Sequence, residues 1–213
     1  MKQKDIFLQS EGDAWLERNT CVPVSAAVPD PLLAEIVNLR PQPRQGTQVL
    51  EIGCADAARL QRLAEMYGCT CQGVEPSARA VAMARARGID VHQGTADQLP
   101  YADQSFEIVI FGFCLYLCDR EDLFRIASEA DRVLRSPGWL LIHDFYSPVP
   151  AQRDYHHHSG LYSYKMDYRK LFTWHPAYVT YSHNVRDHAR GGYTDASGEW
   201  VATSVLRKQS AGQ

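Results

Sequence analysis

From Thr47 to Phe145 the chain alternates between short runs of strand formers and amphipathic helical stretches, and this alternation limits the folds open to it. Strands separated by single helices pair in parallel through right-handed crossovers, which gives a layered α/β domain. "TQVLEI" reads as the first strand, and the helix after it carries Leu60, Leu63, Ala64 and Tyr67 at helical spacing. "CTCQGVEP" is a second strand stopped by Pro76, and an Ala/Arg-rich helix over 77–87 ends near Gly88. "IDVHQG" and "FEIVIFGF" supply the third and fourth strands. Asp119 is placed to cap a helix whose face is Leu123, Ile126, Ala127, Ala130, Val133 and Leu134. Ser136-Pro137-Gly138 then turns the chain into a fifth strand, "WLLIHDF". Upstream, Asp30 and Pro31 predict a helix start, with Leu32, Leu33, Ile36, Val37 and Leu39 on its apolar face. Near the end, "YVTYSHNV" and "EWVATSVLRK" read as a closing antiparallel hairpin across "RGGYTD".

A chain of 213 residues suits one well-buried α/β domain and is short for two. Neither a repeat nor a low-complexity linker divides it, so 1–213 reads as a single domain. Within it, 1–28, 47–145 and 146–213 differ in pattern, the last carrying the closing hairpin. A net charge of −3 gives no general attraction for a phosphate backbone, so nucleic acid is not an expected partner. No apolar run approaches the ~20 residues that span a bilayer, and "MKQKDIFLQSEGD" lacks the apolar core of a secretion signal. The expectation is a cytoplasmic protein without a membrane partner. Cys21, Cys54, Cys69, Cys71, Cys114 and Cys118 form no CxxC pair and read as reduced thiols rather than metal ligands.

The chemistry concentrates at "VLEIGCADAA" (49–58), where a strand passes into a helix. In an open α/β sheet, ligands bind beyond the C-terminal strand ends. Glu51 and Gly53 end the first strand and Glu75 ends the second, where a carboxylate can accept both hydroxyls of a ribose. Gly53 would let backbone approach a ligand closely. A dinucleotide needs G-x-G-x-x-G so that its pyrophosphate can rest on the helix N-terminus. Here the stretch is G-C-A-D-A-A, and Asp56 would set a negative charge beside that pyrophosphate, which argues against a nicotinamide oxidoreductase. A sulfonium cofactor carries positive charge and no phosphate, and it needs neither the missing glycines nor an anion site.

"VLEIGCADAARL", "GVEPSARAVAMAR", "GTADQLPYADQSFEIVIFGFCLYLCD" and "EADRVLRSPGWLLIHDF", in this order, resemble class I S-adenosylmethionine-dependent methyltransferases over about residues 47–145. The resemblance implies a Rossmann-like α/β fold with helices on both faces of a seven-stranded sheet, in the order 3-2-1-4-5-7-6 with strand 7 antiparallel. It implies S-adenosyl-L-methionine as cofactor. Glu51, Gly53 and Cys54 would line its methionine side, Glu75 would hold the ribose with Pro76 packed nearby, Thr95, Ala96 and Asp97 would surround the adenine, and Gly112 and Phe113 would close the site. Ala55 and Ala57 stand where the family has glycines, and Thr95 where it usually has an adenine-binding Asp.

The ends of the chain are less familiar. "QKDIFLQSEGDAWLERN" and "SGLYSYKMDY" resemble segments of bacterial methyltransferases linked to surface-glycan or nucleotide-sugar pathways. Trp15 could cover the cofactor, and Arg18 suits its carboxylate through a bidentate fork. Residues 151–183 hold six of the eleven tyrosines and five of the eight histidines, which fits either packing or a pocket wall. The expected activity is methyl transfer to a small-molecule acceptor. If that acceptor is a hydroxyl, His156, His157, His158, His143 and Asp144 are candidate bases. The alternative is an S-adenosylmethionine-binding regulatory or scaffold protein without activity.

Overall fold

The computed structural model describes residues 2–20 and 30–210. The N-terminal stretch is helical: α1 (Gln3–Ile6), a π-helical turn (Phe7–Glu11) and α2 (Gly12–Thr20). The remaining helices are α3 (Pro31–Ile36), α4 (Ala58–Tyr67), α5 (Ala78–Ala86) and α6 (Leu123–Val133). The strands are β1 (Gln48–Ile52), β2 (Thr70–Glu75), β3 (Asp90–Gln93), β4 (Phe106–Gly112), β5 (Leu134–Phe145), β6 (Ala151–Asp154), β7 (Tyr162–Lys165), β8 (Tyr178–Asp187) and β9 (Trp200–Lys208).

Seven strands form one sheet in the order β3-β2-β1-β4-β5-β9-β8, while β6 and β7 make a separate hairpin. The pairs from β3 through β5 are parallel, and β9 runs antiparallel to both neighbours. Numbered along the sheet's own strands, this is the 3-2-1-4-5-7-6 order that the resemblance implies.

Strand residues alternate between two faces. Leu50, Ile52, Val74, Val109, Phe111, Leu140 and Ile142 pack with α6 and the 168–172 turn. Val49, Cys71, Val91, Ile108, Ile110 and Leu141 pack with α3, α4 and α5. Each crossover thus buries an apolar stripe, and the C-terminal ends of β1, β2 and β4 are left pointing at one rim.

Asp30 caps α3 as its sequence predicts, accepting from the Leu32 and Leu33 amides at 2.9 and 3.1 Å. The helix stops at Ile36, however, so Val37 leaves the expected face and is exposed. Asp119 does not cap α6. Its carboxylate accepts from the backbone of Gln3 and Lys4 at 3.0 and 3.1 Å, capping α1 from across the fold. Residues 135–138 bulge from β5 rather than ending it: Leu134 pairs with Phe106 and Trp139 with Ile108. The β6–β7 hairpin escapes sequence patterning because every residue of β6 is exposed and no alternation marks it. The five described cysteines are free, and Cys21 lies outside the described residues. No described helix is long and apolar enough to cross a membrane.

Candidate functional site

A cleft with room for about 100 Å³ of water-sized solvent centres lies over the C-terminal ends of β1, β2 and β4, roofed by the N-terminal helical stretch. Phe7, Trp15, Ile52, Val74, Pro76, Ala96, Phe113, Leu117 and Ile126 give it largely apolar walls, with Glu75, Thr95, Asp97, Lys4, Asp119 and Asp122 as polar points.

Glu75 is the best-organised of these. It is buried at the end of β2, where its Oε2 accepts from Ala55 N at 2.9 Å and its Oε1 from Ser77 N at 3.0 Å. Each oxygen keeps a further lone pair for a ligand hydroxyl. Burial raises its pKa, and the two amides act against that shift.

The loop after β1 owes its shape to three left-handed residues: Gly53 at φ +76°, Ala55 at +47° and Ala57 at +57°. Ala55 turns its amide toward Glu75 in this conformation. The reason for Gly53 differs from the sequence expectation. A Cβ there would lie 2.5 Å from Cys114 Cβ, so the close approach is between two loops of the chain. At Gly112 an added Cβ would meet Glu51 Oε1 at 2.6 Å and Arg59 Nη1 at 2.8 Å, so that glycine also serves packing. The N-terminus of α4 already faces a carboxylate: Ala58 N donates to Asp56 Oδ1 at 3.3 Å, and Asp56 pairs with Arg87 at 2.7 Å. A pyrophosphate would meet that charge.

Trp15, Gly53, Glu75, Pro76, Thr95, Ala96, Asp97 and Phe113 all line the cleft. Glu51, Cys54, Gly112 and Arg18 do not. Glu51 lies beneath the floor, paired with Arg59, which also binds Asp30 at 2.8 Å. Burial pushes the Glu51 carboxyl up to about 7 although Arg59 opposes it. Its Oε2 has no hydrogen-bond partner among the described residues. Cys54 is buried against Gly73. Arg18 is engaged by Glu11 and by the Tyr155 hydroxyl at 3.0 Å.

None of the candidate bases lines the cleft. His156 and His157 are exposed and His158 half-buried, all in the turn of the β6–β7 hairpin. His143 is buried with Nδ1 2.8 Å from Thr203 Oγ1, and burial pushes its pKa down to about 3. Asp144 is buried and accepts from Phe145 N and Leu115 N at 2.8 Å and Tyr116 N at 3.3 Å. Burial pushes it up to about 7. The two bonds from Leu115 and Tyr116 tie the 115–117 turn to β5, a structural task. Among the described residues no group of three or more His, Cys, Asp or Glu side chains is placed to hold a metal ion.

The sequence reading missed Lys4, Phe7, Asp119 and Asp122 as cleft residues. Lys4 pairs with Asp97 and, at 3.2 Å, with Asp122. Asp97 Oδ1 also accepts from the Thr95 hydroxyl at 2.7 Å. Against the push of burial, Lys4 and Thr95 hold the Asp97 carboxyl below its usual range.

Residues 50–142 match the family described as a methyltransferase domain. This segment, less than half of the chain, is similar to methyltransferase domains. The chain is 31% identical over 105 residues to a fatty-acid O-methyltransferase of Mycolicibacterium smegmatis, covering 47% of this chain and 38% of that protein. The alignments span 38–43% of the length of such curated relatives. A SAM-dependent methyltransferase of Methanosarcina mazei superposes with a TM-score of 0.66 at 14% identity, covering 85% of this chain and 98% of that one. The 1,6-didemethyltoxoflavin-N1-methyltransferase of Burkholderia thailandensis, solved with its substrate and S-adenosylhomocysteine, gives 0.65 at 15% identity, covering 97% and 87%. At such identities the structural likeness establishes the fold.

Proposed function

We propose that the chain transfers a methyl group from S-adenosylmethionine to a small-molecule acceptor. The observation that carries this reading is Glu75: a buried strand-end carboxylate, both oxygens oriented by backbone amides, facing a cleft with apolar walls. The residues suit the cofactor. Glu75 would take the ribose hydroxyls, and Val74, Pro76, Ala96 and Ile126 offer an apolar slot for the adenine beside Thr95 and Asp97. The cofactor supplies an electrophilic methyl on a sulfonium.

The chain's own contribution is alignment and exclusion of water. Phe7, Trp15 and Phe113 wall the cleft, which favours a low-dielectric site and an acceptor held in line. With His156–His158, His143 and Asp144 off the cleft, the reading gives no protein base a part in the transfer. A small acceptor is supported by the 1,6-didemethyltoxoflavin bound to the Burkholderia enzyme. The test is transfer of radiolabel from methyl-tritiated cofactor to a panel holding a fatty acid and 1,6-didemethyltoxoflavin, the compounds in the names of these similar proteins. Label in a small molecule, with matching S-adenosylhomocysteine, supports the reading. Tight cofactor binding with no transfer to any acceptor favours a non-catalytic binding protein.

A further inference from the structure

Two ends of the N-terminal helical stretch are fastened to the two loops that would hold the cofactor. At the far end, Asp13 Oδ1 accepts from Ser77 Oγ at 2.5 Å and from Arg79 N at 3.1 Å, next to Glu75. Gly12 packs there so closely that a Cβ would lie 3.0 Å from Ser77 N. At the near end the fastening is ionic. Lys4 pairs with Asp97 and Asp122, and Lys2 with Asp122 at 2.7 Å and Glu121 at 2.9 Å. Asp119 caps α1, and the buried Gln3 side chain donates to Leu117 O at 2.9 Å and accepts from Tyr162 N at 2.6 Å. Between the fastenings runs the π-helical turn, and Phe7 and Trp15 reach down into the cleft. π-Turns within helices mark places where a helix departs from its regular ladder.

We infer that residues 2–20 are a strap over the cleft and that the Lys2–Lys4 clasp on Asp97 and Asp122 gates exchange of the bound cofactor. This rests on the reading of the cleft as the cofactor site. Lys4 and Asp97 both line the cleft, so a molecule entering on that side must pass the clasp. The Asp13 end holds mainly by hydrogen bonds, its ion pair there being the longer and well-exposed Glu17–Arg79 contact at 3.7 Å, whereas the clasp is made of closely opposed charges and is the end that salt weakens most. Lys2 and Lys4 keep 37% and 24% of their side-chain surface exposed, which leaves ions access to the clasp. Removing one charge from such a pair strands its partner and favours the open strap.

The test is hydrogen exchange of the amides in 2–11, together with stopped-flow release of S-adenosylhomocysteine, in the full chain and its Lys4→Met variant. Loss of the charged contact should speed both by about tenfold or more. Raising NaCl from about 50 mM to about 500 mM should speed release from the wild type and have a smaller effect on Lys4→Met, which keeps only the Lys2 pairs. Asp122→Asn, which removes the acid shared by both lysines, should act in the same direction. Equal exchange and release rates in wild type and both folded variants would overturn the clasp. Failure of the wild type to bind S-adenosylhomocysteine would instead count against the cofactor site, and amide exchange in the unliganded variants would still decide whether the clasp holds the strap.

Discussion

Replacing Ala55 by glycine should stabilise the protein, although alanine is ordinarily the more stabilising of the two residues. Ala55 has φ +47°, where an L-residue costs roughly 1–2 kcal/mol that glycine does not incur. Glycine in turn loses about 0.5–1 kcal/mol more backbone entropy on folding. Ala55 is only half-buried, so its methyl adds little packing, and its amide can still reach Glu75 in the variant. The net expectation is a gain of about 0.5–1 kcal/mol, which for a domain of this size raises Tm by roughly 1–4 °C. Ala57 makes a matched control. It has φ +57°, but it is fully buried, and losing its methyl costs about 0.8 kcal/mol of burial. Ala57→Gly should therefore be near neutral. Thermal and urea unfolding of the three proteins decide the matter. A destabilised Ala55→Gly, or a larger gain for Ala57→Gly, would refute the assignment of strain to this loop.

Other expectations follow from the same geometry. Glu75→Gln should weaken S-adenosylhomocysteine binding by about 1.5–3 kcal/mol, and it should also lower stability by about 1–3 kcal/mol because the amide NH₂ faces a backbone N–H; calorimetry and urea melts read the two effects separately. His143 resists protonation in the fold down to about pH 3, so below about pH 6.5 the unfolded chain binds a proton that the folded chain refuses. Stability from this residue therefore falls by about 1.4 kcal/mol per pH unit on acidification. His143→Asn should remove that slope, gaining about 2 kcal/mol on the wild type between pH 8 and pH 5 in paired urea melts. Changing His156, His157 and His158 together to Gln should leave S-adenosylhomocysteine affinity and turnover within about twofold of wild type, since the run sits in a hairpin turn outside the cleft; a larger loss of turnover would return a histidine of this run to the site.

Much of this architecture is legible in the chain. Leu60 and Leu63 recur at helical spacing, Val49 to Ile52 form an apolar strand, and Pro76 ends β2 one residue after Glu75. Local periodicity therefore places Glu75 at a strand end, and parallel topology brings that end to the rim beside Gly53. The roof of the cleft is not legible in this way. Lys4 meets Asp97 and Asp122, and Asp119 meets Gln3, across more than ninety residues of sequence. A charged residue on a short helix gives no local sign of its partner. The same holds for Gly53 and Gly112, whose need for hydrogen in place of a side chain comes from Cys114, Glu51 and Arg59. The histidine run attracts attention as a cluster, yet adjacent residues in an exposed turn have no reason to converge on a cleft formed elsewhere.

Calorimetric titration of S-adenosylhomocysteine into the wild-type chain and into Glu75→Gln, with NAD⁺ as a comparison ligand, tests the central claim most directly. The account predicts saturable binding of S-adenosylhomocysteine at one site per chain, about tenfold or more weaker in the folded variant, and no saturable heat from NAD⁺. Absence of S-adenosylhomocysteine binding, or equal affinity in a folded Glu75→Gln, would contradict it.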